Sequence, residues 1–298
     1  MPEWVQNFYN TLYSRPMLRL SGYEMRHGLP GELLAYLNYG GATNSAKDAL
    51  AEGMLALALD RGQLRAGQPV VEAASGTFAV ALAIAAAHSG HPVHLVMPGT
   101  VTPDRQRALM DLGAQVVLTN YVYGRAGTLK RAQQLAEEVG GYFLNYFSND
   151  DNPEYHRRVT GPAILKAVGG EVAAVVAGVG SGGTITGVGE YLKAWAGNVW
   201  TVAVQPFESQ SLTGGFSGRH SIAGIGPGFV PDNYNPYIVD EVVSITSGDA
   251  AAAAREVLLT DAVPASLSCG AVLCAAREIK KRQEGRVVCI FNGMTVYE

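Results

Sequence analysis

The stretch "VAAVVAGVGSGGTITGVGEYL" (residues 172–192) joins an apolar run of strand length to a helical segment through a turn made mostly of glycine. Glycines let the backbone turn sharply and expose its N–H groups, and the N-terminus of a helix adds partial positive charge. We interpret this turn as an anion site suited to a phosphate; the alternative is a tight turn without a ligand. The residues predicted to bind the anion are Gly180, Ser181, Gly182, Gly183 and Thr184.

Apolar runs of strand length also alternate with helical segments along the rest of the chain. Continuous apolar strands that alternate with helices predict parallel sheets with helices on both faces, which is the α/β class. The candidate strands are residues 70–74, 92–97, 114–119, 172–179, 199–205 and 286–291.

Composition excludes several classes of protein. The 298 residues are 48% hydrophobic and 16% charged, with a formal net charge of −4, which disfavours a nucleic-acid binder. The first residues lack the basic and apolar regions of a signal peptide, and no apolar run is long enough to span a bilayer, so we expect a cytoplasmic protein without membrane contact. Three cysteines make neither a disulfide framework nor a zinc spacing, and a turn with His88, His91 and His94 is interpreted as solvated, so no metal site is predicted.

Two segments interrupt the alternation of strands and helices. Residues 145–156 ("NYFSNDDNPEYH") are polar and rich in turn formers, which is typical of a domain junction. Residues 211–237 are long, rich in Gly and Pro, and interpreted as an ordered active-site loop.

The glycine turn also fits the dinucleotide pattern G-x-G-x-x-G through Gly178, Gly180 and Gly183. A dinucleotide site requires an acidic residue about twenty positions further on. Gln205 stands there instead. A nicotinamide-dependent dehydrogenase is therefore the weaker alternative.

Lys47 lies in "GGATNSAKDAL" (residues 40–50), at the start of an apolar helical segment. The helix dipole and desolvation are both expected to lower the pKa of this lysine and to favour a neutral amine. Such an amine can form a Schiff base with a carbonyl group. The alternative is a lysine that extends to solvent, and spacing alone does not decide between them.

Two more turns precede apolar helical segments. In "VVEAASGTFAVALA" (residues 70–83), Ser75, Gly76 and Thr77 suit a second anion such as a carboxylate, or form an ordinary helix cap. In "PASLSCGAVLCAARE" (residues 264–278), the Ser268 hydroxyl could meet a ring nitrogen, or cap the helix.

In chain order, these segments resemble the motifs of one family, the fold-type-II pyridoxal-phosphate enzymes of the cysteine synthase and cystathionine β-synthase branch. The resemblance covers nearly the whole chain. It implies a two-domain α/β fold like that of the tryptophan synthase β subunit, a homodimer, and pyridoxal 5'-phosphate at the domain interface. The smaller domain is expected at residues 34–148, inserted into a larger one of residues 1–33 and 149–298. The segments are "SRPMLRL", "ATNSAKD", "EAASGT", "MPGTVTPDRQRALMDLGAQVVLT", "NDDNPEYHRRVTGPAI", "AGVGSGGTITGVGEYLK", "IAGIGPGFVP" and "SLSCGA".

The resemblance also implies roles for single residues. Lys47 matches the lysine that holds the cofactor as an internal aldimine and later acts as general base, Thr77 lies beside the cofactor, and Ser268 faces its pyridine nitrogen. Residues 180–184 hold the phosphate. The implied reaction is β-elimination or β-replacement, through an aminoacrylate, on a serine- or cysteine-derived amino acid that carries a leaving group on Cβ; sulfide, a thiol or another small nucleophile then adds. The implied substrate-binding residues are Ala74, Ser75, Gly76, Thr77, Phe78, Tyr146 and Gly226.

Several of these positions depart from the family's usual motifs. Thr77 replaces an asparagine, Phe78 removes a hydroxyl that binds the substrate carboxylate, and Tyr146 stands where a glutamine is usual. An altered substrate loop beside an intact phosphate turn predicts a specialised substrate. The alternative is a catalytically degenerate relative that serves as a binding or regulatory subunit. Further departures lie around the lysine, at Gly41, Ala42, Asn44 and Ala49.

Overall fold

The computed structural model describes residues 15–294 of the chain. Residues 1–14, which begin the predicted larger domain and include the first residue of "SRPMLRL", lie outside the described part. The described chain forms two compact units. The larger unit contains residues 15–40, 44–46 and 152–294, and the smaller unit contains residues 41–43 and 47–151.

A six-stranded sheet forms the centre of the larger unit, with strand order β1-β2-β10-β7-β8-β9. Strand β1 is antiparallel to β2, and the other neighbours are parallel. The strands are β1 (Met17–Arg19), β2 (Leu33–Leu37), β7 (Ala174–Gly178), β8 (Trp200–Pro206), β9 (Glu241–Ile245) and β10 (Val287–Phe291).

Helices cover both faces of this sheet. They are α1 (Ser21–His27), α6 (Asp151–Tyr155), which continues as a π-helical turn (His156–Thr160), α7 (Gly161–Val168), α8 (Gly183–Trp195), α9 (Ser247–Asp261) and α10 (Leu267–Lys280).

Alternate residues of the central strands enter two separate hydrophobic cores, because successive side chains of a strand point to opposite faces. Leu33 and Ala35 of β2 pack in the core that includes residues of α9 and α10. Leu34 and Tyr36 pack in the core that includes residues of α8. Burial on both faces is why these strands read as continuous apolar runs in the sequence.

The smaller unit contains a four-stranded parallel sheet with the order β5-β4-β3-β6. Val71 and Val96 of this sheet pack with Ala132, Leu135 and Ala136 of α5. The strands are β3 (Val70–Glu72), β4 (Val93–Pro98), β5 (Gln115–Thr119) and β6 (Tyr142–Phe143), and the helices are α2 (Lys47–Asp60), α3 (Thr77–Ser89), α4 (Pro103–Asp111) and α5 (Gly124–Glu138).

The structure confirms the α/β class, since each of the six predicted runs overlaps an observed strand. The start of the predicted smaller domain at residue 34 differs from the structure. Residues 34–40 lie in the larger unit because β2 pairs with β10. The chain passes back to the larger unit between Asp151 and Asn152, within the polar stretch 145–156.

The long segment 211–237 is anchored in the larger unit. Ile222 and Ile225 belong to one hydrophobic core, and Tyr234 belongs to the other. Gln205 is buried at the end of β8, where its amide donates to Thr213 and accepts from the backbone N–H of Leu212. Residues 15–294 include no helix long and apolar enough to cross a bilayer.

Candidate active site

The glycine turn after β7 has almost no room for side chains. A Cβ atom at Gly180 would lie 2.2 Å from the backbone oxygen of Gly224, and one at Gly183 would lie 1.8 Å from Oδ1 of Asn152. Gly182 precedes α8 with φ of 86°, in the left-handed region that favours glycine. Within the described residues, no side chain makes a capping hydrogen bond at this helix start. The turn therefore presents backbone N–H groups at the positive end of a 13-residue helix.

Both hydroxyl side chains of this turn are held by buried partners that the sequence did not reveal. Asn152 donates from Nδ2 to Ser181 Oγ at 3.0 Å. Thr184 Oγ1 lies 3.2 Å from His156 Nε2 and accepts from Asn292 Nδ2 at 3.3 Å. These contacts fix where the two hydroxyls can offer hydrogen bonds to an anion.

His156 is fully buried beneath this turn, and its other ring nitrogen lies 2.9 Å from Thr160 Oγ1. Desolvation, together with the positive charge of Arg15, lowers the pKa of His156 to about 3. The imidazole is therefore neutral near pH 7. It orients the Thr184 hydroxyl without adding a positive charge of its own.

Ser268 lies in the first turn of α10, where capping was one prediction for its hydroxyl. That prediction is wrong, because the cap of this helix is Ser266, whose Oγ accepts from the N–H of Cys269. The Ser268 hydroxyl lies 2.9 Å from Ser266 Oγ. The Ser268 hydroxyl is therefore bonded to the capping residue and does not itself cap the helix.

The donor set of the glycine turn fits a phosphate group. It combines a helix N-terminus, glycines that allow a close approach of the backbone, and two hydroxyls held in place by buried partners. The residues present thus fit a phosphate-bearing cofactor.

Lys47 is the first residue of α2, as the sequence predicted, and is half-buried, which lies between the two alternatives left open for its side chain. Asp48 fixes this helix start, because its Oδ2 accepts from the N–H of Thr43 at 3.0 Å and from the Thr43 hydroxyl at 2.8 Å. Asn44 has φ of 51°, a left-handed conformation that asparagine tolerates better than most residues. Asparagine at this position is therefore compatible with the turn that precedes Lys47.

The chain just before Lys47 is tied to the end of β10. The N–H of Ala46 donates to the backbone oxygen of Asn292 at 3.0 Å, and Ser45 bridges to Gly293. Residues 44–46 belong to the larger unit, and Lys47 follows them directly in the chain. Hydrogen bonds thus hold the backbone on both sides of this lysine in place.

The loop before α3 presents Ser75, Gly76 and Thr77. Gly76 precedes the helix, and within residues 15–294 no side chain makes the capping hydrogen bond there, so the ordinary-cap interpretation of this loop is wrong. Arg105 holds the loop from α4 by donating from Nε to the Ser75 backbone oxygen at 3.0 Å. Thr77 is exposed as the first residue of α3.

Phe78 and Tyr146 are both buried and stack on each other, with ring centroids 3.8 Å apart and an angle of 23° between the rings. Tyr146 meets Phe147 edge-on at 4.9 Å, and the Arg125 guanidinium lies 5.5 Å above the Phe147 ring. Two residues that the resemblance placed in the substrate site thus pack against each other in the smaller unit.

Glu72 is a buried carboxyl that the sequence analysis did not single out. Its Oε2 accepts from the N–H of Tyr146 at 3.0 Å. Desolvation raises the pKa of Glu72 to about 7, although N–H groups of Tyr146, Ala73 and Asn145 and the charge of Arg125 act in the opposite direction. Glu72 therefore joins the end of β3, which leads into the 74–78 loop, to the segment that carries Tyr146.

Glu72 is expected to make the protein less stable as pH rises from about 5 to about 8. The unfolded carboxyl ionises near 4.5 and the folded one near 7, so between these values the folded state binds more protons and stability falls with pH. Over the whole range the free energy of unfolding falls by about 3 kcal/mol if Glu72 titrates independently of other groups. Denaturant unfolding across this range should show the fall in the wild type and a smaller fall in Glu72→Gln, whose amide oxygen can still accept from Tyr146. Glu137→Gln, at an exposed position of the same unit, is the matched control, and an unchanged slope in Glu72→Gln would contradict the prediction.

The histidines at 88, 91 and 94 are not all in a solvated turn, contrary to the prediction. His91 is buried with Nδ1 2.9 Å from the Gln68 backbone oxygen, and His94 is buried in β4. Residues 15–294 contain no cluster of His, Cys, Asp and Glu suited to a metal ion.

The predicted site residues fall into two sets. In the larger unit, residues 180–184 and Gly226 are close in space, since the N–H of Gly226 donates to the backbone oxygen of Val179 at 2.9 Å. Ser268 lies in the same unit. In the smaller unit, the 74–78 loop and Tyr146 meet through the Phe78–Tyr146 stack, and Lys47 begins a helix of that unit.

Comparison with known proteins gives concordant results. The family described as "Pyridoxal-phosphate dependent enzyme" matches residues 11–293. Cysteine synthase 3 of Caenorhabditis elegans is 36% identical over 284 residues, which cover 95% of this chain and 84% of that protein. A cysteine synthase of Staphylococcus aureus is 36% identical over 257 residues, which cover 86% of this chain and 82% of that protein.

Solved structures agree. The crystal structure of a cysteine synthase from Entamoeba histolytica has a TM-score of 0.87 at 31% identity, covering 96% of this chain and 86% of that one. The crystal structure of O-ureido-L-serine synthase has a TM-score of 0.86 at 29% identity, covering 96% of this chain and 90% of that one. From its sequence, its fold and the donor set of its glycine turn, the chain belongs to the fold-type-II pyridoxal-phosphate-dependent enzymes and uses pyridoxal 5'-phosphate as its cofactor.

Proposed function

We propose that this enzyme catalyses β-replacement on a serine-derived amino acid, in which a group on Cβ leaves and a small nucleophile takes its place. The observation that carries the proposal is the glycine turn 180–184, whose backbone and buried hydroxyl partners fit a phosphate. Relatives named cysteine synthase and O-ureido-L-serine synthase support this reaction class.

Three groups of this chain are proposed to act on the cofactor. Lys47 binds it covalently and moves the proton at Cα of the substrate. The N–H groups of the 180–184 turn, with the Ser181 and Thr184 hydroxyls, hold its phosphate. Bound pyridoxal phosphate supplies an electron sink for the electron pair left at Cα. The neutral Ser268 hydroxyl at its ring nitrogen keeps that sink mild, which suits chemistry at Cβ.

The substrate is proposed to bind at the 74–78 loop and Gly226. The uncapped start of α3 offers backbone N–H groups to a carboxylate, and the Ser75 and Thr77 hydroxyls lie beside them in sequence. Phe78 and Tyr146 are buried and their rings stack on each other within the smaller unit, where Phe78 has no hydroxyl to offer a carboxylate. This difference from the usual motif supports a specialised substrate.

A substrate screen tests the proposal. The enzyme, loaded with pyridoxal phosphate, is mixed with serines that carry different O-substituents and with sulfide or a thiol, and products are followed by mass spectrometry. We expect at least one O-substituted serine to release its substituent and to yield an amino acid with the nucleophile on Cβ. If the cofactor is bound but no substituent is released, the chain is better explained as a degenerate binding or regulatory subunit.

The nicotinamide alternative is not favoured. The position that requires an acidic residue is Gln205, and its buried amide bonds to Thr213 and Ser244. The matching family is described as "Pyridoxal-phosphate dependent enzyme", and the structural neighbours include a cysteine synthase.

A homodimer in the cytoplasm is also part of the proposal. Its support is the resemblance to the cysteine synthase branch and the three cysteines at 269, 274 and 289, which are free and buried. Light scattering of the purified enzyme distinguishes the dimer from a monomer.

A further inference from the structure

The loop of residues 220–226 packs directly on the backbone that enters the glycine turn. A Cβ at Gly180 would lie 2.2 Å from the backbone oxygen of Gly224, and a Cβ at Gly178 would lie 2.6 Å from Cγ2 of Ile225. The N–H of Gly226 donates to the backbone oxygen of Val179 at 2.9 Å. The geometry of the 180–184 turn therefore depends on where residues 224–226 lie.

Gly226 itself adopts a conformation that few residues can take. Its φ is 62°, and a Cβ at this position would lie 2.5 Å from Cγ of Pro206 and 3.0 Å from Nε2 of His220. A left-handed glycine with one N–H bond has considerable freedom to move. A second hydrogen bond, to the carbonyl of Gly226, would restrict this movement.

His220 supplies that hydrogen bond. Its Nε2 lies 2.8 Å from the backbone oxygen of Gly226, and because a carbonyl only accepts, Nε2 carries the proton. The other ring nitrogen, Nδ1, is buried and has no hydrogen-bond partner among the described residues. The bond to Gly226 is thus the hydrogen bond that the ring makes among the described residues, and the ring also interacts electrostatically with Glu208.

We propose that His220 is a positioning residue of this enzyme: its Nε2–H fixes the carbonyl of Gly226, holds residues 224–226 against residues 178–180, and thereby sets the backbone of the phosphate-binding turn. This inference rests on the proposed phosphate role of residues 180–184. In this role His220 contacts neither the substrate nor the cofactor.

The test compares two cofactors that differ only in the phosphate. Dissociation constants of pyridoxal phosphate and of pyridoxal are measured for the wild type, His220→Phe and His220→Gln. His220→Phe keeps a ring but removes the donor to the Gly226 carbonyl, so we expect the preference for the phosphorylated cofactor to fall ~10-fold. His220→Gln retains an N–H donor and should keep the preference within about 3-fold of the wild type. Hydrogen exchange of the 178–184 amides should be faster in His220→Phe and near normal in His220→Gln.

His27→Phe is the matched control, because His27 also makes an Nε2 contact in the larger unit, at 2.9 Å to Glu256. It should leave the preference for the phosphorylated cofactor unchanged. A His220→Phe variant that is less stable but keeps this preference would show a merely structural role and overturn the proposal.

If that variant does not fold, His220→Asn, whose shorter side chain does not reach Gly226, replaces it in the comparison with His220→Gln. If the wild type binds neither cofactor, the proposed function fails, while hydrogen exchange of the 178–184 amides still decides the role of His220.

Discussion

Lys47→Ala is expected to lower turnover by ~10³-fold or more and to prevent covalent attachment of pyridoxal phosphate. Lys47 is the first residue of α2, held at the helix start by the bonds of Asp48 to Thr43. Alanine removes the amine but preserves the helix, since it is the residue most compatible with helical backbone. The loss should therefore be chemical, with little change in folding.

Borohydride reduction followed by peptide mapping measures the covalent attachment directly. In the wild type the phosphopyridoxyl mass should be found on the peptide that contains Lys47, and in Lys47→Ala it should be absent. Lys166→Ala is the control, because Lys166 is exposed on α7. Substantial turnover in Lys47→Ala, or a phosphopyridoxyl group on another lysine of the wild type, would show that the catalytic lysine has been assigned wrongly.

In the larger sheet, the strands predicted from the sequence are those buried on both faces, whereas in the smaller sheet the partly exposed edge strand β5 was also predicted. β7, β8 and β10 read as apolar runs because both of their faces enter hydrophobic cores. β1 and β9 lie at the edges of the sheet and contain exposed or partly exposed residues, so their apolar signal is weak. β2 is an exception, because Leu33–Leu37 carries the full signal and is nevertheless absent from the predicted strands.

The predicted binding turns are local features, which explains why they could be identified. A glycine-rich turn before a helix is encoded by neighbouring residues, and so is a lysine at a helix start. The partners that hold these groups come from distant parts of the chain. Asn152 is 29 residues from Ser181, and Asn292 is 108 residues from Thr184. Such contacts follow from the tertiary fold and have no signature in residue spacing.

The sequence does carry a signal for the buried contact of Glu72. It is a charged residue within an apolar strand of the smaller sheet, and charged side chains are rarely fully buried without partners. This anomaly predicts a specific buried contact. Its partner is the N–H of Tyr146, 74 residues away, so the sequence could indicate that a contact exists but not where.

Gly183→Ala is expected to weaken binding of pyridoxal phosphate by ~100-fold. The added Cβ would lie 1.8 Å from Oδ1 and 2.6 Å from Cγ of Asn152, which is fully buried. Asn152 would have to move and release its bond to Ser181, which is 3.0 Å in the structure. Overpacking costs about 1–3 kcal/mol and a lost buried hydrogen bond about 1–3 kcal/mol, and ~3 kcal/mol corresponds to ~100-fold in affinity.

The chain offers a matched control for this substitution. Gly248 lies in the first turn of α9, and the nearest atom to a Cβ there is Thr246 Oγ1 at 3.9 Å. Gly248→Ala should bind the cofactor within about 2-fold of the wild type, since the added methyl group meets no close neighbour. Wild-type affinity in Gly183→Ala would remove residues 180–184 from the phosphate site.

A double-mutant cycle with Asn152→Ala identifies the cause of the loss. Asn152→Ala alone removes the bond to Ser181. It also removes the two side-chain atoms that the new Cβ would approach too closely. The nearest atom of residue 152 is then its backbone carbon, at 3.2 Å. If the clash with Asn152 causes the loss, the double variant should bind the cofactor about as well as Asn152→Ala, so the two effects are not additive. Additive losses would mean that the methyl group at 183 interferes with the phosphate itself. The cycle thus separates the role of the glycine as space for Asn152 from its role as space for the ligand.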